Sequence, residues 1–173
     1  MSWSYIDSLL FSLDKVIFVS YFFVLVLAMA VERKVSSFVI TLIVLTVANG
    51  AMTSLSPMLY QYASQPDLSA KFAWYASFAL IDMLAVFLLF KFHKLLAQNV
   101  GFIAKLVGML FVVFATLQTG RFIDRFVFNT EFLQYIYQYA IPLLNIALVP
   151  VIIAAWLSEL KLQRRNTRYE AVL

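Results

Sequence analysis

Residues 72–92, FAWYASFALIDMLAVFLLFKF, decide the fold, because they form an almost wholly apolar run with one acid, Asp82, near its centre. A helix of this length is roughly 30 Å long, which matches the hydrocarbon core of a bilayer. A carboxylate at that depth is costly, and intramembrane acids are by default candidate functional sites. The run therefore predicts a transmembrane helix and makes Asp82 the first candidate site residue.

The composition of the whole chain also indicates a lipid environment. Of its 173 residues, 64% are hydrophobic and 13% are charged, whereas soluble domains carry roughly 45–50% apolar and about 25% charged residues. The net charge of +4 is typical of basic residues collected on one side of a membrane and does not indicate nucleic acid.

The composition also limits the chemistry. The chain has no cysteine and a single histidine, His93, which lies among lysines and is interpreted as an interfacial residue. Thiolate, disulfide and multi-histidine sites are therefore excluded. We expect no metal, no cofactor, no catalytic residue and no enzymatic activity, because Asp82 is the one acid well inside a predicted span and has no nearby base.

Four further apolar stretches complete the prediction of an all-α integral membrane bundle with five transmembrane helices in a single domain. The predicted helices cover residues 9–31, 36–60, 71–96, 100–119 and 131–160, followed by a basic cytoplasmic tail at 161–173. The first helix leaves one alternative open, because Trp3, Tyr5 and Asp7 precede it. It can lie in the interface, which would leave four spans.

The distribution of basic residues predicts the orientation. One side of a five-span protein collects Arg33, Lys34, Lys91, Lys94, Lys161, Arg164, Arg165 and Arg168. The other side keeps Lys15, Lys71, Arg121 and Arg125. Because cytoplasmic segments carry the excess of Lys and Arg, we expect a multi-pass protein of a plasma or bacterial inner membrane with its N-terminus outside and its C-terminus in the cytoplasm.

Counting inward from the helix ends places four polar side chains at a similar depth. Asp82 lies about 11 residues from Lys71, hence roughly 16 Å deep, and Ser20, Asn49 and Asn145 lie at nearly the same level. We predict that these four form a midplane layer that binds a proton or an ion. Without a cation, we expect the Asp82 carboxyl to be protonated, and a structural hydrogen bond to an asparagine is the alternative.

Other polar residues flank this layer on the same helices. Thr46, Thr53 and Gln138 lie just above or below it and predict either a polar pathway or a packing stripe. Lys105, about seven residues into the fourth helix, is near enough to the cytoplasmic edge for its amine to reach the headgroups.

Residues 120–132, GRFIDRFVFNTEF, alternate charged and aromatic side chains. Such alternation is typical of a short segment that lies in the membrane interface. We therefore predict interfacial positions for Arg121, Asp124 and Arg125.

These patterns support three hypotheses of different classes. The first is an oligomeric conduit for ions, protons or small solutes around Asp82, since five helices seldom enclose an aqueous path alone. The second is a non-catalytic accessory or immunity-like subunit that packs against a partner membrane protein. A membrane-embedded enzyme is the weakest, because the required groups are missing. The expected partners are the lipid bilayer and either further copies of the chain or another membrane protein, with no nucleic acid.

Overall fold

The computed structural model describes the backbone of residues 3–170 and the side chains of residues 12–161. These residues form five helices and no strand: α1 (Trp3–Glu32), α2 (Ser37–Ala63), α3 (Leu68–Leu95), α4 (Phe102–Phe126) and α5 (Gln134–Glu170). All five are long and apolar enough to cross a membrane, α1 over Ser12–Glu32. The prediction of an all-α bundle with five spans is confirmed, and the four-span alternative is not needed.

The helices run alternately up and down, so the bundle has two ends. The Pro66 end carries the α2–α3 and α4–α5 loops, and the His93 end carries the α1–α2 and α3–α4 loops. Helix α2 lies at the centre against α1, α3 and α4, while α5 packs between α1 and α4. The central position of α2 explains why it is the most deeply buried helix.

The two halves of the bundle differ in packing. In the His93 half, residues 38–42 and 44–46 of α2 are all buried. Five of them join Leu89, Val107 and Ile152 in one apolar core: Phe38, Val39, Leu42, Val44 and Leu45. In the Pro66 half, α2 is buried at few positions and the helices enclose a cavity. The bundle is therefore solid at one end and hollow at the other.

Two helix ends differ from the sequence prediction. Helix α4 continues through Phe126 instead of ending at residue 119, because one glycine, Gly120, costs a helix only about 1 kcal/mol. Residues 120–126 are thus the last turns of a spanning helix and do not form a separate interfacial segment. Helix α5 begins at Gln134 and runs to Glu170, so most of the predicted tail extends this helix, in agreement with its content of good helix formers.

Candidate functional site

A cavity of about 570 Å³ occupies the Pro66 half of the bundle, and residues from all five helices line it. We call it the central cavity. Five side-chain amides line its wall: Asn49, Gln118, Gln134, Gln138 and Asn145. Its ionisable lining residues other than tyrosines are Asp14, Arg121 and Arg125. Its volume lies in the range of small-molecule sites, and the amides in its mostly apolar wall can form hydrogen bonds with a solute that leaves water.

Two of the four residues of the predicted midplane layer line this cavity. Asn49 and Asn145 both line it, as does the flanking residue Gln138. By helix rise, Asn49 and Asn145 are its deepest polar lining residues. Counting residues from the helix ends therefore located the level at which the cavity ends.

Asp82 lies at that same level but is enclosed by protein. Ser37 Oγ and His93 Nε2 are 2.8 Å apart, which fixes the relative heights of α2 and α3. About 11 residues along each helix from this link lead to Asp82 on α3 and to the neighbourhood of Asn49 on α2. Asp82 is 1% exposed and lies one turn beyond Phe78, which lines the cavity.

The carboxyl of Asp82 has no partner among the described residues. Both of its oxygens are buried without a hydrogen bond, and the side-chain amide of Asn49 donates instead to Leu45 O at 3.0 Å. The structural hydrogen bond from Asp82 to an asparagine is therefore not formed. A buried polar group left unpaired costs roughly 1–3 kcal/mol. A proton, an ion or a water molecule at the carboxyl would reduce this cost.

Ser20 does not join the layer. Its hydroxyl donates to Val16 O at 2.8 Å, on the outward side of α1. The neighbouring Tyr21 is buried instead, and its hydroxyl donates to Asn145 O at 3.0 Å. Inward positions of α1 recur at Ile17, Tyr21, Val24 and Ala28, and this helical periodicity was the signal that favoured Tyr21 over Ser20.

The flanking residues have different environments. Thr46 is buried, and its hydroxyl has no hydrogen-bond partner in the described part of the chain. Thr53 is half-buried and is not among the residues that line the cavity. Lys105 is exposed in the first turn of α4 at the His93 end. A polar pathway that includes both threonines is therefore not formed in this conformation.

Arg121 and Asp124 form a buried link between α4 and α5. Arg121, 3% exposed, donates to Asp124 Oδ2 at 2.8 Å and to Glu131. Asp124 Oδ2 also accepts from Leu133 N at 3.0 Å, and its other oxygen accepts from the Thr130 hydroxyl. The charges of these two residues are therefore paired inside the protein, whereas the side chain of Arg125 is 51% exposed. Their interfacial depth stays a prediction.

A hydrogen-bonded chain that the sequence did not reveal crosses the cavity wall. Trp74 Nε1 donates to the Tyr137 hydroxyl at 3.2 Å, and that hydroxyl donates to Gln118 Oε1 at 2.9 Å. The chain joins α3, α5 and α4. Its one sequence signal is that Gln118, Arg121 and Arg125 recur at helical spacing on one face of α4.

The arrangement offers side-chain amides to a solute that enters the central cavity. Within the described residues, no group of three or more His, Cys, Asp or Glu side chains could hold a metal ion. No protein-family model, curated protein or solved structure matches this chain. The central cavity and the unpaired Asp82 beside its deepest point are thus the features from which a function can be argued.

Proposed function

We propose that the protein is a membrane conduit of the carrier type, which binds a small solute in the central cavity and a proton or cation at Asp82. One observation carries the proposal. A solute-sized cavity with five side-chain amides in its wall reaches the middle of the bundle, and Asp82, a buried carboxyl without a partner among the described residues, lies at its deepest level. Ionisable groups at that depth are typical of proton and ion sites.

The packing of the two halves supports a carrier over an open pore. The cavity is confined to the Pro66 half, while the His93 half is a continuous apolar core. A protein with one closed end can pass a solute only by changing conformation, and occupation of a midplane site is the usual trigger. A proton or cation on Asp82 would remove the cost of an unpaired charge during that change.

The solute site needs only one chain, because all five helices of one protomer line it. An oligomer remains a prediction. In the competing accessory-subunit role, the cavity would be incidental and the protein would act by packing against another membrane protein. That role predicts no flux from the isolated protein.

The test is proton and cation flux in proteoliposomes that contain the purified chain. We expect Asp82→Asn to lower the flux at least about tenfold, equivalent to about 1.4 kcal/mol, because asparagine cannot take up or release a proton. The matched control is Asp67→Asn, which removes the same charge from the exposed α2–α3 loop. Normal flux in Asp82→Asn would remove Asp82 from the proposal, and no flux from the wild type would favour the accessory role.

A further inference from the structure

A second, smaller cavity of about 280 Å³ lies at the Pro66 end of the bundle. We call it the mouth pocket; it is lined by Tyr60, Ala63, Ser64, Lys71, Trp74, Tyr75, Arg125 and Phe126. Four of these residues, Tyr60, Trp74, Tyr75 and Arg125, also line the central cavity. The two cavities therefore share a wall, and a single ligand can contact both.

The charges that line the mouth pocket have one sign. Lys71 and Arg125 line it, and no acid is among its described lining residues. Lys71 donates to Ala63 O, which leaves two of the three ammonium N–H groups for a ligand. Arg125 makes no hydrogen bond with the described residues, and its Nε is 3.8 Å from Glu131 Oε1.

The nearby acids are committed to other partners or lie elsewhere. Glu131 is bonded to Arg121 and forms only a longer ion pair of 3.8 Å with Arg125, and Asp124 is bonded to Arg121, Thr130 and Leu133. Asp67 accepts from the Ser69 hydroxyl, and this hydrogen bond lowers the pKa of the Asp67 carboxyl. Asp14 lines the central cavity and not the mouth pocket. Two N–H groups of Lys71 and the N–H groups of Arg125, which make no hydrogen bond with the described residues, therefore remain available to an anion.

Aromatic rings frame these two cations. Tyr60 and Trp74 meet edge to face at 6.1 Å between ring centroids, and Tyr75 and Phe126 do so at 6.3 Å. Rings of this kind are enriched at the headgroup level of a membrane. The pocket thus combines oxyanion donors with an apolar frame at one end of an amide-lined cavity.

We propose that the mouth pocket binds the oxyanion head group, a phosphate or a carboxylate, of an amphiphilic solute whose uncharged body lies in the central cavity. The inference rests on the proposed function, for which it names the class of solute. Lys71 and Arg125 supply charge-assisted hydrogen bonds, which Arg gives in a fork that matches an oxyanion. The source of this chemistry is either an anionic lipid of the bilayer or a free organic anion.

The test measures binding by tryptophan fluorescence in nanodiscs of phosphatidylcholine, with empty nanodiscs as background. Octyl phosphate should bind at least about tenfold more tightly than octyl glucoside, since charge-assisted hydrogen bonds are stronger than neutral ones. The double variant Lys71→Gln, Arg125→Gln should lose this preference. Equal affinities of the wild type for the two probes would overturn the proposal.

Two further double variants make the result specific. Lys91→Gln with Lys105→Gln removes one cation from α3 and one from α4 at the opposite end of the bundle, both exposed, and should keep the preference. Lys71→Arg with Arg125→Lys keeps both charges and should also keep it, which guards against misfolding of the glutamine variant. Loss of the preference in the Lys91/Lys105 pair would overturn the proposal as well.

Lipid composition distinguishes the two sources of the anion. With phosphatidylglycerol in the nanodiscs, a lipid ligand should compete with octyl phosphate and co-purify with the wild type more than with the glutamine variant. A free organic anion as ligand predicts that lipid composition has no effect. Octyl phosphate preference without flux would reject the carrier and keep this site, whereas flux without the preference would reject this site alone.

Discussion

At the scale of single residues, His93 shows how a polar side chain can be buried without a functional role. It is 1% exposed, and its Nδ1 must donate to Leu89 O at 2.7 Å, because a carbonyl can only accept. In the neutral imidazole its Nε2 then accepts from the Ser37 hydroxyl, whose oxygen accepts from Gly101 N at 2.9 Å. The Ser37–His93 pair is thus a link between α2, α3 and the start of α4.

This link predicts a large effect of Ser37→Ala on stability. The substitution removes two hydrogen bonds and leaves the buried His93 Nε2 without a donor, so we expect unfolding free energy to fall by about 2 kcal/mol. Denaturation in detergent, followed by circular dichroism, measures the change. Ser54→Ala, at an exposed position of the same helix, is the control and should change stability little. Similar losses in both variants would show that the link contributes nothing.

His93 and Asp82 also mark the limit of sequence reasoning about single residues. Depth along a helix follows from counting, because the rise per residue is nearly constant, and the count from the helix ends agrees with the count from the Ser37–His93 link. Which polar atoms meet depends on helix rotation and on neighbouring helices. The lysines around His93 indicated an interfacial position, yet its own side chain points into the contact between α2 and α3.

At the scale of helices, the five elements were predictable and their ends were less so. Long apolar runs define spans by composition alone, whereas α4 ends late because Arg121 and Asp124 pair with each other and with the following loop. From the sequence alone, each of these charges carries its own free-energy penalty for burial. Their pairing, which offsets that penalty, arises only in the folded protein. The same pairing makes Arg121 and Asp124 a buried link, which their predicted interfacial depth did not indicate.

The end of α3 offers a test at this scale. Ala97, two residues after the end of α3, has a backbone φ angle of 50°. This left-handed conformation costs alanine about 1 kcal/mol relative to glycine. We expect Ala97→Gly to raise unfolding free energy by about that amount, although glycine usually destabilises. Ala76→Gly, in the interior of α3, is the matched control and should lower it by about 1 kcal/mol. A decrease in both variants, measured by the same denaturation assay, would contradict the strain at Ala97.

At the scale of the whole molecule, the contrast between a solid half and a hollow half was not visible in the sequence. Polar residues occur in both halves, and the cavity exists because α5 packs on α1 and α4 and leaves space beside α2 and α3. Whether such a cavity forms depends on how the contact surfaces of all five helices fit together. The asymmetry supports the proposed carrier, because it restricts access to the midplane to one side.

One-sided access can be measured directly, because the chain contains no cysteine. Asn145 lines the cavity, and the next residue, Ile146, is exposed on the outer surface of the bundle at the same depth. With water in the cavity, we expect Asn145→Cys to react with a membrane-impermeant thiol reagent at least about tenfold faster than Ile146→Cys, since thiols react as thiolates and lipid disfavours the charged form. The predicted orientation places this reaction on the outer side of the membrane. Equal slow reaction of both cysteines would mean that water does not reach the midplane, and labelling from the cytoplasmic side would reverse the orientation while keeping the cavity.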